Sequence, residues 1–73
     1  MKDKIAVKLG RNVRELRLKK GLTQERLAEL AHIHPVYVSN IENGIRNITV
    51  ARAFKIARSL DCGISELFKG IKG

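Results

Sequence analysis

Apolar residues in this chain recur mostly every three or four positions, which is the spacing of one face of an α-helix. No run alternates apolar and polar residues for the length of a full strand. The first apolar series has steps of four, four and three and consists of Ile5, Leu9, Val13 and Leu16. It predicts a helix over about residues 3–20, which Gly21 closes in a left-handed conformation.

Four shorter helices are predicted after Gly21. Thr23 is a favoured N-cap for a second helix that ends near residue 30. Pro35 suits the first turn of a third helix over residues 35–42, and Thr49 caps a fourth that reaches residue 60. The fifth covers residues 64–69. The side chains expected to face inward from these helices are Leu27, Ala28, Ala31, Val38, Ile41, Val50, Ala53, Phe54, Ala57, Leu60, Leu67 and Phe68. The predicted fold is a compact all-α domain of five helices.

Length and charge narrow the class of protein. A chain of 73 residues forms one domain, here with a core over about residues 5–68, and buries only about 60% of its unfolded surface. We expect no second, ligand-sensing domain. Fifteen Lys and Arg against seven Asp and Glu give a net charge of +8, which favours a polyanionic partner such as nucleic acid or an anionic membrane surface. A charge that only solubilises the protein is the alternative.

Reactive and metal-binding chemistry finds little support in the sequence. Cys62 is the single cysteine, so no intramolecular disulfide forms, and we expect it to fill space in the core. His32 and His34 lack a third ligand, and no residue forms a catalytic set with them. We therefore expect no metal, no cofactor and no enzymatic activity. Since no apolar run has the length of a signal peptide or a membrane span, we expect a reduced cytoplasmic setting.

Two short helices, at about residues 23–30 and 35–42, are separated by a four-residue break. A break this short forces them to cross steeply. The second helix can then enter a major groove about 12 Å wide while the first braces across the phosphates. Any small helical domain contains helix pairs with tight turns, so the spacing alone leaves a purely structural pairing open.

Specific runs strengthen the DNA-binding interpretation. The sequence reads GLTQERLA at residues 21–28, YVSNIENG at 37–44 and RNIT at 46–49, and the end of the chain over 60–68 continues the pattern. Together they resemble the lambda-repressor/Cro-type (XRE-like) helix-turn-helix family over residues 5–68. The resemblance implies a bacterial or phage-encoded protein that is associated with the nucleoid. The run HPVYVSNIE, with RNIT, is also similar to the small controller proteins of restriction–modification systems.

The resemblance implies a set of DNA-binding residues. These are Gln24, His34, Pro35, Val36, Ser39, Asn40, Asn43 and Arg46. By analogy Gln24, Asn43 and Arg46 bind the backbone, while the start and outer face of the third helix read bases. Asn40 has the donor and acceptor for adenine, and Val36 suits a thymine methyl group. The resemblance also implies that Arg17 and Glu42 form an internal ion pair between the first and third helices.

This chain departs from the family pattern in several ways. The third helix contains no Lys or Arg, so its positive charge must come from elsewhere, for which the candidates are Arg11, Lys19, Lys20, Arg46 and Lys55. His32 and Asp61 stand where glycine is usual, and His32 must take or avoid a left-handed conformation at some cost. Pro35 cannot donate a hydrogen bond to DNA. We expect Tyr37 to pack at the helix junction, with its hydroxyl free to reach a phosphate.

Three isoleucines, Ile56, Ile64 and Ile71, have no evident place on the inner faces. An exposed patch of this kind suits a two-fold dimer, which would place two recognition helices about 34 Å apart on a roughly palindromic operator of double-stranded DNA. The alternative function is a protein-interaction module, antitoxin-like or docking another partner through the same patch, with DNA secondary. Binding to a membrane surface is not expected, because the basic residues do not line one face opposite a continuous apolar one.

Overall fold

The computed structural model describes residues 3–72. Within them lie five helices: α1 Lys4–Lys19, α2 Gln24–Ala31, α3 Pro35–Glu42, α4 Val50–Ser59 and α5 Ile64–Leu67. No strand occurs in that part of the chain. The predicted all-α class is confirmed, and each helix boundary lies within two residues of its predicted place. None of the described helices combines the length and apolar character that crossing a membrane would require.

Local capping explains why the boundaries could be predicted. The first four helices each begin at a side chain that accepts a hydrogen bond from a first-turn amide, namely at Asp3, Thr23, His34 and Thr49. His34 is an uncommon cap. Its Nδ1 accepts from the backbone N–H of Val36 at 3.1 Å. The ring is therefore fixed at the start of α3, followed by Pro35, which has no N–H to satisfy.

A residue with a left-handed φ follows each of the five described helices within three positions, namely Gly21, His32, Gly44, Asp61 and Gly70. Gly21, with φ of 71°, ends the turn after α1 without steric cost. His32 and Asp61 adopt φ of 56° and 55° after α2 and α4, so both accept the left-handed conformation that glycine would adopt freely. The turn at His32 leaves only three residues, 32–34, between α2 and α3.

The core differs from the predicted one mainly on α4. Ile56, predicted to be exposed, is fully buried, whereas Phe54 and Val50, predicted to be inward, are 55% and 75% exposed. A helix turns about 100° per residue, so Phe54 lies a quarter-turn or more from buried Ala53 while Ile56 lies close to Leu60 on the buried side. The predicted buried face of α4 was therefore wrong in its rotation about the helix axis: it included Phe54 in place of Ile56. The largest fully buried side chains are Leu9, Val13, Leu27, Val38, Ile41, Ile56, Leu60 and Leu67.

α3 packs against both α1 and α2, and a glycine permits the first of these contacts. A Cβ atom on Gly10 would lie 2.1 Å from the carbonyl oxygen of Ile41 and 2.8 Å from that of Glu42. The backbones of α1 and α3 thus approach more closely than any other residue allows at this position. Asn12, also on α1, is buried and donates from Nδ2 to the carbonyl oxygens of Leu67 and Lys69, both at 2.9 Å. These two α1 residues position α3 and the end of α5.

Candidate nucleic-acid interface

The outer side of α3 carries four of the predicted DNA-binding residues. Val36, Ser39, Asn40 and Asn43 are spaced by three, one and three positions, so they share one helix face. Val38 and Ile41 occupy the opposite, fully buried face. Asn43 donates from Nδ2 to Ser39 Oγ at 3.4 Å. The face therefore presents amides, a hydroxyl and an exposed apolar side chain without any charge.

His34 and Pro35 lie at the N-terminal end of that face, and both are exposed. The Nδ1 atom of His34 is engaged as the helix cap, which leaves the Nε2 side of the ring for an outside partner. Pro35 offers only its ring for contact with DNA because it has no amide hydrogen. Ile45, two residues beyond Asn43, is 65% exposed.

A buried ion pair fixes α3 against α1. Arg17 donates from Nε to Glu42 Oε2 at 2.6 Å and from Nη2 to Glu42 Oε1 at 3.0 Å. The side chains are only 10% and 3% exposed. A third guanidinium nitrogen of Arg17 donates to the carbonyl oxygen of Leu22 at 2.7 Å. The ion pair implied by the family resemblance is present, and its fork geometry makes it directional as well as charged.

Gln24, predicted to bind a phosphate, has a structural contact as well. Its Nε2 donates to Glu42 Oε1 at 3.0 Å, so the half-buried carboxamide braces α2 against α3. The amide has a second N–H and a carbonyl oxygen for a further partner. Glu42 thereby joins α1, α2 and α3, and Gln24 supplies the contact from α2.

Positive charge reaches α3 from the segment that follows it. The guanidinium carbons of Arg46 and Arg52 lie 5.6 Å and 4.3 Å from the centroid of the Tyr37 ring. Arg52 was not among the predicted DNA-binding residues. One sequence feature could have indicated Arg52: a basic residue in the first turn of a helix is unfavourable, because its charge opposes the helix dipole. Residues that break a local rule often mark functional sites.

Two other candidate charges lie elsewhere. Lys20 Nζ is 3.5 Å from Asp61 Oδ2, at the far end of α4. Lys19 lines a groove between α1 and α5 that Glu66 also lines. These lysines face the acidic residues near α5, so the structure does not bring them to α3.

Comparison with known proteins places this geometry in a family. The helix-turn-helix family model matches residues 13–67, which include the second part of α1 and all of α2, α3, α4 and α5. The chain belongs to the helix-turn-helix family. Within the family, α2 and α3 form the helix pair, and α3 occupies the place of the recognition helix.

Several helix-turn-helix proteins resemble the chain closely. The restriction–modification controller protein C.AhdI from Aeromonas hydrophila superposes with a TM-score of 0.85 at 44% identity, covering 86% of this chain and 96% of that one. Control protein C.BamHI from Bacillus amyloliquefaciens is 38% identical over 61 residues, 82% of this chain and 75% of its own. The competence pilus inhibition repressor of Acinetobacter baylyi is 37% identical over 60 residues, and the match spans 54% of that repressor's length. The predicted similarity to controller proteins is confirmed.

The candidate dimer residues of this helix-turn-helix chain occupy different environments. Ile56 is completely buried, so it cannot contribute to a surface, because it faces Leu60 and the core. Ile64 and Ile71 are half-buried and pack against the core. Ile64 lines an open depression beside exposed Phe54 and half-buried Cys62. Burial, with the Glu66 carboxylate nearby, raises the pKa of the Cys62 thiol.

Proposed function

We propose that this chain regulates transcription as a homodimer that binds a roughly palindromic operator through the major groove. Its relatives are named as a repressor, as control proteins and as helix-turn-helix-type transcriptional regulators. The observation that carries the proposal is the outer, uncharged face of α3, on which Val36 and Asn43 are exposed, in a helix that the Arg17–Glu42 pair ties to α1. A recognition helix needs such a fixed position to read bases.

Base reading falls to the side chains of that face. Asn40 can both donate to and accept from adenine in the major groove, and each good bidentate pair discriminates by about 1–3 kcal/mol. Ser39 can bond to more than one base, and Val36, at 57% exposed, suits a thymine methyl group. Asn43 and Arg46 follow at the end of the helix, where they would bind the backbone and set the register.

An exposed apolar surface on α4 supports dimerisation. Phe54 and Val50 are 55% and 75% exposed. Phe54 lines the depression that Ile64 also lines, so the surface extends to α5. Large exposed apolar side chains in one region mark an association surface, and a two-fold axis would pair the region with itself. Phe54 thus takes the place that the sequence had given to Ile56.

The decisive experiment is selection of bound duplexes from a random DNA pool at near-physiological salt, with the mass of the protein recorded by light scattering. We expect an enriched inverted repeat with half-sites about one helical turn apart, bound by a dimer. Asn40→Ala should relax the preference at one base pair per half-site, at unchanged thermal stability. A pool without any enriched sequence would contradict the proposal.

The dimer surface has its own test. Phe54→Ser should produce a monomer in solution that retains the wild-type circular dichroism spectrum and binds single half-sites with reduced affinity. Val36→Ser is the matched control, since it also removes an exposed apolar side chain but lies on α3, and it should leave the mass unchanged. A Phe54→Ser protein that remains a dimer would place the interface elsewhere.

A further inference from the structure

The Tyr37 ring collects two arginines that are distant from each other in sequence. Arg46 follows α3, and Arg52 lies in the first turn of α4. Since their guanidinium carbons are 5.6 Å and 4.3 Å from one ring centroid, they lie at most about 10 Å apart. Like charges this close repel each other, and the N-terminus of α4 is unfavourable for either.

Neither arginine has a negative partner in the part of the chain that the structure describes. The ion pairs within residues 3–72 employ Arg17, Lys20 and Arg26 as cations. Both Arg46 and Arg52 are exposed, and none of the side-chain hydrogen bonds found there uses their guanidinium groups. Each guanidinium carries five N–H donors in a planar fork that suits phosphate oxygens. The Arg46–Arg52 cluster is therefore positively charged and has N–H donors that are free to bind a ligand.

We propose that Tyr37 is a positioning residue that holds Arg52 and Arg46 as a two-arginine site for phosphates of the DNA backbone, at the edge of the recognition helix. This inference rests on the proposed function, because the ligand is the operator duplex itself. It adds Arg52 as a DNA-contacting residue and gives Tyr37 a role other than direct contact.

The placement of Tyr37 on α3 explains what the arrangement achieves. The ring is half-buried at the start of α3, one position after Val36, so it is rigid relative to the base-reading face. A guanidinium over an aromatic ring is attracted by the ring quadrupole, which restricts a long side chain before DNA arrives. The tyrosine hydroxyl lies 3.5 Å from the carbonyl oxygen of Asn47, in the segment between the arginines. Phosphate contacts made by the two arginines are therefore held at a fixed position relative to α3.

The salt dependence of operator binding tests the site. The probe is the selected operator duplex, and binding is measured by fluorescence anisotropy across a salt series. Each lost phosphate contact lowers the log–log slope by about 0.9, so Arg52→Gln should lower it by about 2 for a dimer, equally on the operator and on a base-substituted duplex. Lys19→Gln is the matched control, because it removes the same charge from the groove between α1 and α5, and it should leave the slope nearly unchanged.

Variants of Tyr37 separate positioning from direct contact. Tyr37→Phe keeps the ring and should retain most of the slope, whereas Tyr37→Leu should lower it. In an Arg46→Gln/Arg52→Gln background, Tyr37→Leu should have no further effect on affinity, which a merely structural tyrosine would not show. If the wild-type protein binds the operator and Arg52→Gln leaves the salt slope unchanged, this inference is overturned and the proposed function still stands. A wild-type protein that binds no operator overturns both.

Discussion

Neutralising Glu42 is the sharpest test of how the recognition helix is held. In Glu42→Gln the side chain keeps its size but loses its charge, and a carboxamide must face the same donors. The wild-type carboxylate accepts from Arg17 at 2.6 Å and 3.0 Å and from Gln24 at 3.0 Å. The change therefore leaves the Arg17 guanidinium, 10% exposed, without its counter-charge.

The expected cost follows from that burial. Removing one partner of a buried ion pair costs about 3–5 kcal/mol. Arg17 retains the carbonyl oxygen of Leu22 at 2.7 Å as an acceptor, so we expect the lower end, about 3 kcal/mol. A chain of this length is stable by roughly 4–11 kcal/mol in total. The variant should thus lose a large part of its stability and melt about 12–24 °C below the wild type.

Urea denaturation followed by circular dichroism measures this loss as a shift of the midpoint at constant slope. Glu29→Gln is the matched control, because Glu29 pairs with Arg26 at the surface and its side chain is 70% exposed. Exposed pairs contribute about 0–1 kcal/mol, so that variant should remain close to the wild type.

A double variant shows whether the stranded charge is the cause. Arg17→Met in the Glu42→Gln background removes the unpaired guanidinium and replaces it with an apolar side chain, so the double variant should be more stable than Glu42→Gln alone. A Glu42→Gln protein within 1 kcal/mol of the wild type, or a double variant as unstable as the sum of both changes, would refute the reasoning.

Three further predictions concern other parts of the molecule, two of them substitutions and one a pH dependence. Gly10→Ala drives a Cβ into the α3 backbone at 2.1 Å, so it should destabilise by about 1–3 kcal/mol in thermal melts, whereas Gly63→Ala, with its nearest contact at 3.7 Å, should cost little. His32→Gly relieves a left-handed φ of 56° and should raise stability by up to about 1 kcal/mol; a lower melting temperature would contradict this. Burial beside Glu66 raises the pKa of the Cys62 thiol, so its alkylation by iodoacetamide should begin at higher pH in the folded protein than in denaturant, and folding stability should fall as pH rises past the ordinary thiol pKa.

Features set by neighbours in sequence were the ones the sequence could predict. Thr23 and Thr49 cap their helices as expected, with Oγ1 accepting from Arg26 and Arg52 amides at 3.0 Å and 3.2 Å. Such caps involve residues three positions apart, so a single sequence contains all the information. The composition of the α3 face was predictable for the same reason, since the helical period alone places residues 36, 39, 40 and 43 together.

Features set by distant contacts were missed. The close approach at Gly10 depends on α3, thirty residues later, and the amide of Asn12 binds carbonyl oxygens beyond residue 66. The buried face of α4 is decided by which helices cover it, so a pattern containing both Phe54 and Ile56 allowed two rotations of the helix. The proximity of Arg52 to Tyr37 is likewise a consequence of how the segment after α3 brings the start of α4 to the Tyr37 ring.

The separation of charge from base reading has a consequence that specificity measurements can detect. In this chain the outer face of α3 is neutral, while the guanidinium groups beside Tyr37 belong to Arg46, in the following segment, and to Arg52, in the first turn of α4. Contacts to bases carry sequence information with little salt dependence, whereas contacts to phosphates do the reverse. Substitutions at Asn40 should therefore change which operator is bound while the salt slope stays constant, and substitutions at the arginines should change the slope while the preferred sequence stays constant. If the Asn40 and Arg52 variants each altered both the preferred sequence and the salt slope, the proposed separation of charge from base reading would be wrong. Base contacts and phosphate contacts would then be coupled, because a change in either would alter how the whole protein docks on DNA.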